Sequence, residues 1–301
     1  MRNILIVLLG PTGVGKTDVS IVIARHFGCE IISADSRQFF REMKIGTAIP
    51  SDKQLAEIKH HLIGFLSVND YYSSSLYERD VLKMLPGLFE KNKIVLMTGG
   101  SGLYIDAVCR GIDDIPDIDP AVREKVMSKY KEEGIEGLRL ALKILDPVHY
   151  QNVDLKNPKR IIRALEICEA TGKPYSSFLT KLKRERDFNI IMFGLERTRE
   201  ELFRRINSRV DEMIANGLEE EARSLFDLRN MNALNSVGYK ELFDFFDGKI
   251  TKDKAIELIK RNTRRYAKRQ MTWWSKDKEI RWFGADNVPG ILKSIETSLI
   301  S

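Results

Sequence analysis

A chain of 301 residues, 43% apolar and 31% charged, is long enough to bury a core in one or two domains. No apolar run approaches the ~20 residues that cross a bilayer. The three cysteines (Cys29, Cys109, Cys168) are scattered and form no C-x-x-C, and the four histidines do not cluster, which argues against a disulfide framework or a zinc site and fits a cytoplasmic protein. A net charge of +6 is mild, and its distribution says more than its size.

The first element is "ILIVLL", residues 4–9, a continuous apolar run that suits a strand buried on both faces of a parallel sheet. It is too short for a signal peptide and runs straight into a glycine loop. From Lys16 the pattern turns helical, with Val19, Ile23 and Phe27 on one face and Gly28 as the C-cap. "CEIISAD" and "KIVLMTGG" read as two further strands, so strands alternating with helices predict an α/β domain with a parallel sheet. Near residue 112 "GIDDIPDIDP" reads as a linker, and helical patterns follow over 120–133, 134–145 and 157–171. The charged "KLKRERD" closes that section and "FNIIMFGL" returns to strand. The division expected is a core of 1–114 and 188–301 with an all-helical insertion over 115–187. Residues 198–272 read as helical, with Leu202, Ile206, Val210 and Met213 at helical spacing and Gly217 ending that run.

Gly10-Pro11-Thr12-Gly13-Val14-Gly15-Lys16-Thr17 matches G-x-x-x-x-G-K-[ST] between a strand and a helix. Glycines let backbone N–H groups turn inward around an anion, Lys16 adds charge, and the helix N-terminus adds its dipole. Thr17 is the expected ligand of Mg²⁺. Nucleotide binding, ATP included, is the ordinary use of such a loop. A motor ATPase or GTPase would also show a later apolar strand ending in Asp, but "KIVLMTGG" ends in glycines. The carboxylate comes earlier, at Asp35, at the end of a strand expected to neighbour the loop strand. Taken alone, Asp35 reads equally well as a cap or turn residue. Two chemistries remain: a small-molecule kinase, or a transferase whose loop holds a departing diphosphate while carbon moves.

Several stretches resemble the tRNA dimethylallyltransferases, also called tRNA isopentenyltransferases. They are "ADSRQFFREMKIGTAIP", "HHLI", "TGGSGLY", "DPAVR", "NPKRIIRALEI" with "TGKP", "NSVGYKE" and "RRYAKRQMTWW", in the family's order along nearly the whole chain. The chain departs in having Phe39 or Phe40 where the family commonly has a Tyr, Ser101 where it commonly has Thr and Ile49 where it often has Lys. The resemblance implies a P-loop NTPase-like core with an inserted helical domain. It also implies transfer of a dimethylallyl group from dimethylallyl diphosphate to the exocyclic amine of the adenine just 3′ of the anticodon, in tRNAs reading codons that begin with U. On that basis Lys16 and Thr17 with Mg²⁺ hold the diphosphate, Asp35 is the base, and Ser36, Arg37 and Gln38 contact the flipped nucleotide. Ser101, Arg123 and the run Lys159, Arg160, Ile161, Ile162 and Arg163 match positions that touch tRNA, the isoleucines packing inward. An arginine facing the diphosphate is Arg205 or Arg209, Arg209 being the better match.

Some assignments stay open at this stage. Gly238 and Tyr239 fit either a tRNA-facing or a core turn. In the basic segment Lys260–Arg269, next to Trp273 and Trp274, the residues that meet RNA are not distinguished from a solvated helix face. The C-terminal zinc finger of some eukaryotic relatives is not expected. The anticodon stem-loop and dimethylallyl diphosphate are the expected partners, with no membrane, and the protein is expected to act as a monomer. The competing readings are an adenylate dimethylallyltransferase acting on free nucleotide, the small-molecule kinase, and a non-catalytic RNA-binding protein.

Overall fold

The computed structural model describes residues 2–113, 115–116, 118–180 and 184–300. Lys181, Leu182 and Lys183 of the charged stretch, and Asp114 and Asp117 of the expected linker, lie outside the described residues. The chain divides into two compact units, residues 1–110 with 185–301, and residues 111–184.

In the first unit the order is β1 (Ile4–Leu9), α1 (Lys16–Phe27), β2 (Ile31–Ser33), α2 (Asp52–Glu57), β3 (His60–His61), α3 (Ser74–Lys91), β4 (Ile94–Gly99) and α4 (Gly102–Arg110). The second unit supplies α5 (Pro120–Leu145), α6 (Pro147–Asn152) and α7 (Pro158–Thr171). The first unit then resumes with β5 (Asn189–Glu196), α8 (Arg199–Ala215), α9 (Leu218–Ser224), α10 (Tyr239–Phe246), α11 (Lys252–Trp274), β6 (Ile280–Gly284) and α12 (Val288–Ile300). The six strands form one sheet in the order β3-β2-β4-β1-β5-β6, every neighbouring pair parallel. All six residues of β1 are at most 4% exposed, as a central parallel strand covered on both faces requires. Gly28, with φ of 62°, caps α1 and donates to the Ala24 and Arg25 carbonyls.

This order corrects one expectation. β2 does not lie beside β1, because β4 pairs with both and sits between them. β4 enters the sheet by a crossover through α3, a kind of connection that is right-handed in nearly all parallel sheets. The C-terminal ends of β2 and β1 are therefore two strand spacings apart, roughly 10 Å. β4 lies on one side of β1 and β5 on the other, so the chain reverses its strand order at β1, and ligands of open α/β sheets bind outside such a switch point. The long helical reading of 198–272 is also refined. Turns at 216–217 and 247–251, and an irregular stretch over 225–238, cut it into α8, α9, α10 and α11. The short β3, and the closing pair β6 and α12, were not read from the sequence.

The second unit has its own core of Val126, Leu138, Leu142, Ile161, Ile162, Ala164 and Leu165. Gly134, at φ 67° and ψ −162°, breaks α5 where the sequence pattern changes register. The buried Asp146 caps α6 by accepting from the His149 N–H (2.8 Å). It also accepts from the Ser176 N–H (2.6 Å) and hydroxyl (2.7 Å), binding the segment after α7 to the start of α6. Burial by itself raises this carboxyl, but those hydrogen bonds outweigh it and hold Asp146 below the usual carboxylate range. A depressed folded pKa contributes stability above the unfolded value of about 3.9, and that contribution is lost as pH falls through the folded value. We expect Asp146→Asn to reduce hydrogen-exchange protection over 147–180 by about 1–3 kcal/mol at neutral pH. The gap to wild type is expected to stay flat down to about pH 5 and to close below about pH 4.

Candidate active site

The glycine loop leaves β1 at the switch point and ends at α1, whose first N–H groups have no intrahelical acceptor. Its carbonyls are held from outside: Arg205 Nε donates to the Gly13 oxygen and Arg197 Nε to the Val14 oxygen, both at 2.9 Å. Gly13, at φ 83°, has Ile206 packed 2.8 Å from where a Cβ would stand, so both backbone angle and space demand glycine there. Lys16 Nζ donates to the Gly10 and Pro11 carbonyls at 2.9 and 3.0 Å. Desolvation pulls the Lys16 ammonium down to about 8; nearby Asp35 opposes this shift and Arg209 adds to it. The Thr17 hydroxyl has no partner among the described residues, where it stands at the start of α1. A hydroxyl beside a phosphate cradle, with no cluster of acids among the described residues, fits a Mg²⁺ ion whose other ligands are phosphate oxygens and water.

Asp35 lies two residues past the end of β2, in a turn fixed from three sides. Its carboxylate accepts from the Arg37 N–H at 3.1 Å. The buried Ser101 hydroxyl accepts from the Ser36 N–H at 2.9 Å and bonds the Ser36 hydroxyl at 3.0 Å. Ser101 N–H donates in turn to the Ala34 carbonyl. A Cβ on Gly99 would stand 2.2 Å from that same carbonyl, so β4 ends in glycine to let the Asp35 turn approach.

One cavity of about 760 Å³ joins these parts. Thr12 of the loop, Asp35, Ser36, Arg37 and Arg209 all line it, along with Gly46, Thr47 and Ala48 and the α11 residues Arg261, Arg265, Tyr266 and Arg269. This separates the two arginine candidates: Arg205 braces the loop backbone, and Arg209 faces the cavity. Burial and Arg205 lower the Arg209 pKa, which sharpens its demand for an anion. Burial, together with the Asp35 charge, pushes the Tyr266 phenol up to about 12, so it stays protonated beside Asp35.

The sequence did not reveal Gln270. Its buried amide accepts from the Thr12 N–H at 2.9 Å and donates to the Gly100 carbonyl at 2.8 Å. It therefore staples the phosphate loop to the residue before Ser101. The only sequence signal was its place inside "RRYAKRQMTWW".

Other expected residues lie elsewhere. Gln38 does not line the cavity: its Nε2 donates to the Thr47 and Ala48 carbonyls (3.3 and 3.2 Å), and its Oε1 accepts from Ser33. Phe39 is buried and stacks on Tyr77, so a hydroxyl there has no place to act. In the helical unit Ile161 and Ile162 are core residues, 0% and 8% exposed, which removes their side chains from any binding surface. Lys159 and Arg160 are exposed, while Arg123 and Arg163 approach the two oxygens of the buried Glu166 at 3.3 and 3.4 Å. Tyr239 is buried and Gly238 lines the cavity, so "VGY" is a core turn at the cavity wall. Trp274 is core, and Trp273 is half exposed, its Nε1 donating to Asp106. In the basic segment Lys260 pairs with Asp211 and Arg264 bonds Asn207. Arg261, Arg265 and Arg269, four apart on one face of α11, form no ion pair among the described residues.

A family model described as "IPP transferase" matches residues 38–277. The chain is 52% identical over 298 residues to "tRNA dimethylallyltransferase 2" of Parabacteroides distasonis, covering 99% of this chain and 100% of that one. It is 54% identical over 300 residues to "tRNA dimethylallyltransferase" of Christiangramia forsetii, covering 99% of each. Among solved structures, the full-length tRNA isopentenylpyrophosphate transferase of Bacillus halodurans superposes with a TM-score of 0.72 at 33% identity. That match covers 99% of this chain and 97% of the other.

Because the free Lys16 titrates near 8, its charge is partly lost in mildly alkaline solution, and an anion must restore it. The affinity for inorganic diphosphate with Mg²⁺, measured by titration calorimetry, is expected to hold below that pH and to weaken above it by up to about tenfold per pH unit. In Lys16→Met this step is expected to be absent from the pH profile.

Proposed function

The chain belongs to the IPP transferase family and is a prenyl-transferring enzyme; from this we propose that it moves a dimethylallyl group from dimethylallyl diphosphate to N6 of the adenine 3′-adjacent to the anticodon, releasing diphosphate. The observation that carries the reading is a single cavity bounded by the phosphate loop at Thr12 and by Asp35, with β4 set between their strands. A gap of roughly 10 Å between strand ends leaves room between loop and carboxylate. It suits a line of groups running from diphosphate through allylic carbon and amine nitrogen to carboxylate.

Allylic diphosphates ionise readily because the developing cation is delocalised, so the growing charge on the leaving group needs stabilising. The N–H groups at the start of α1, Lys16 and Arg209 supply fixed positive charge there. A Mg²⁺ held by the Thr17 hydroxyl and the donor's phosphate oxygens would add Lewis-acid stabilisation of the same charge. The adenine amine becomes acidic only as its bond to carbon forms. Asp35, held still by Arg37 N–H and the Ser36–Ser101 pair, then takes the proton. The adenine must leave its stack to enter a cavity of this kind, and Ser36, Arg37 and Tyr266 are the groups it meets. Arg123, Lys159, Arg160 and Arg163 of the helical unit are proposed contacts to the anticodon stem-loop.

The reading is tested with Mg²⁺, dimethylallyl diphosphate labelled in its carbon chain, and either anticodon stem-loop RNA or AMP. Label is expected in the RNA, with one diphosphate released per transfer. Label in AMP alone, or phosphate consumed from ATP with no carbon transfer, would refute it. In the same assay Asp35→Ala is expected to lower turnover ~10²–10⁴-fold with a much smaller change in RNA affinity.

Arg261, Arg265 and Arg269 are proposed to follow the RNA backbone into the cavity. Log affinity for stem-loop RNA should fall linearly with log salt, and each single alanine variant should flatten that slope by roughly 0.7. Lys260→Ala, which removes a charge already paired with Asp211, should change it less.

A further inference from the structure

The strap of residues 44–48 forms a wall of the reaction cavity through Gly46, Thr47 and Ala48. It belongs to no helix or strand, and Ala48 sits at φ 49°, a left-handed angle that a residue with a Cβ adopts only under constraint. Ala48 is held by its own N–H, which donates to the Ile45 carbonyl, and the start of the strap is held by Glu221 on α9. One carboxylate oxygen accepts from the Lys44 N–H at 2.9 Å and the Ile45 N–H at 2.8 Å. The other accepts from the Gly46 N–H at 2.9 Å and the Tyr239 hydroxyl at 2.7 Å. Three consecutive N–H groups converging on one anion form a backbone nest, here filled by the protein's own side chain. Tyr239 is fully buried, and its ring stands 2.6 Å from where a Cβ on Gly46 would project, so only glycine lets the strap pack against it.

The strap is joined to the catalytic turn. Gln38, three residues after Asp35, donates its amide to the Thr47 and Ala48 carbonyls, and its own N–H donates to the Asp35 carbonyl. We propose that Glu221 is a positioning residue for prenyl transfer: as an internal anion it fixes the 44–48 strap, and through Gln38 it sets where Asp35 stands in the cavity. It touches neither the phosphate loop nor any proposed RNA phosphate contact, so its effect falls on placement of the acceptor and base and not on donor binding. Charge-assisted hydrogen bonds are about twice as strong as neutral ones, and a carboxylate is the side chain that accepts all four. An amide in its place would turn an NH₂ toward one pair of these donors. This inference rests on the transfer reading above for its kinetic consequence, but not for its geometry.

The test uses Glu221→Ala and Glu221→Gln in the full chain. Turnover in Glu221→Ala is expected to drop ~10–100-fold, the scale of an ångström-sized misplacement, while the affinity for inorganic diphosphate stays within about twofold. Amide exchange at Lys44, Ile45 and Gly46 should speed up. Added acetate, small enough to enter the vacated nest, should restore turnover saturably and slow the same three amides in Glu221→Ala. Glu221→Gln should remain impaired without rescue. Normal turnover in Glu221→Ala, or a parallel loss of diphosphate affinity that acetate does not repair, would overturn the proposal. Should the wild-type protein transfer no prenyl group, the reading of the reaction falls by itself. Exchange at the three amides then still decides the clamp, and unchanged exchange would overturn it.

Discussion

The structure depends on a fixed separation between an anion cradle and a carboxylate, and a sheet edge enforces it. The loop after β1 and the turn after β2 are held two strands apart by β4, whose terminal glycines let both neighbours close in over its end. Gln270 reaches from α11 across that end and bonds both the loop and Gly100. Ser101, one residue further, bonds the turn that carries Asp35. The two chemical halves of the site are thus joined by a short run of hydrogen bonds, each with a partly or fully buried member. Because leaving any such group unpartnered costs about 1–3 kcal/mol, the run resists opening at any single link.

This arrangement separates duties among similar residues. Of the cations around the loop, Arg197 and Arg205 hold its carbonyls. Lys16 waits on the carbonyls of its own loop, partly discharged by desolvation. An arriving diphosphate offers stronger acceptors and restores its charge. Arg209 meets the cavity directly. The acids divide the same way: Asp35 is left facing the cavity, whereas Glu221 and Glu241 are engaged by backbone N–H groups and side chains of the walls. A site for moving carbon between two charged ends leaves its reactive carboxylate less engaged than its supporting ones: Asp35 accepts one backbone N–H, whereas Glu221 accepts four donors.

Much of this was legible in the sequence, for physical reasons that differ by element. The β1 run, the glycine loop and the Gly28 cap rest on local rules of burial and backbone angle, and they stand as read. The break at Gly134 and the inward-facing Ile161 and Ile162 follow from periodicity. Strand order does not, since nothing local in "CEIISAD" tells that β4 will slip in beside β1; Asp35 was placed one strand too close. Gln38 was placed at the flipped nucleotide by its position after Asp35; that its amide bonds the Thr47 and Ala48 carbonyls lies beyond local reach. Gln270 and Glu221 act across 258 and 175 to 177 positions of chain. Pairings that distant leave no trace in a single sequence except the residue itself. The basic face of α11 was legible as a pattern, but that Lys260 and Arg264 are engaged while others of the segment face the cavity needed Asp211 and Asn207 from α8.

The most direct test of the central claim is a crystal structure with a non-hydrolysable dimethylallyl diphosphate analogue, Mg²⁺ and anticodon stem-loop RNA bound together. The account requires the diphosphate on the Gly10–Thr17 loop, the flipped adenine in the same cavity, and its N6 between the prenyl carbon and the Asp35 carboxylate, within hydrogen-bond reach of the latter. An empty loop, or an adenine seated away from Asp35, would contradict it.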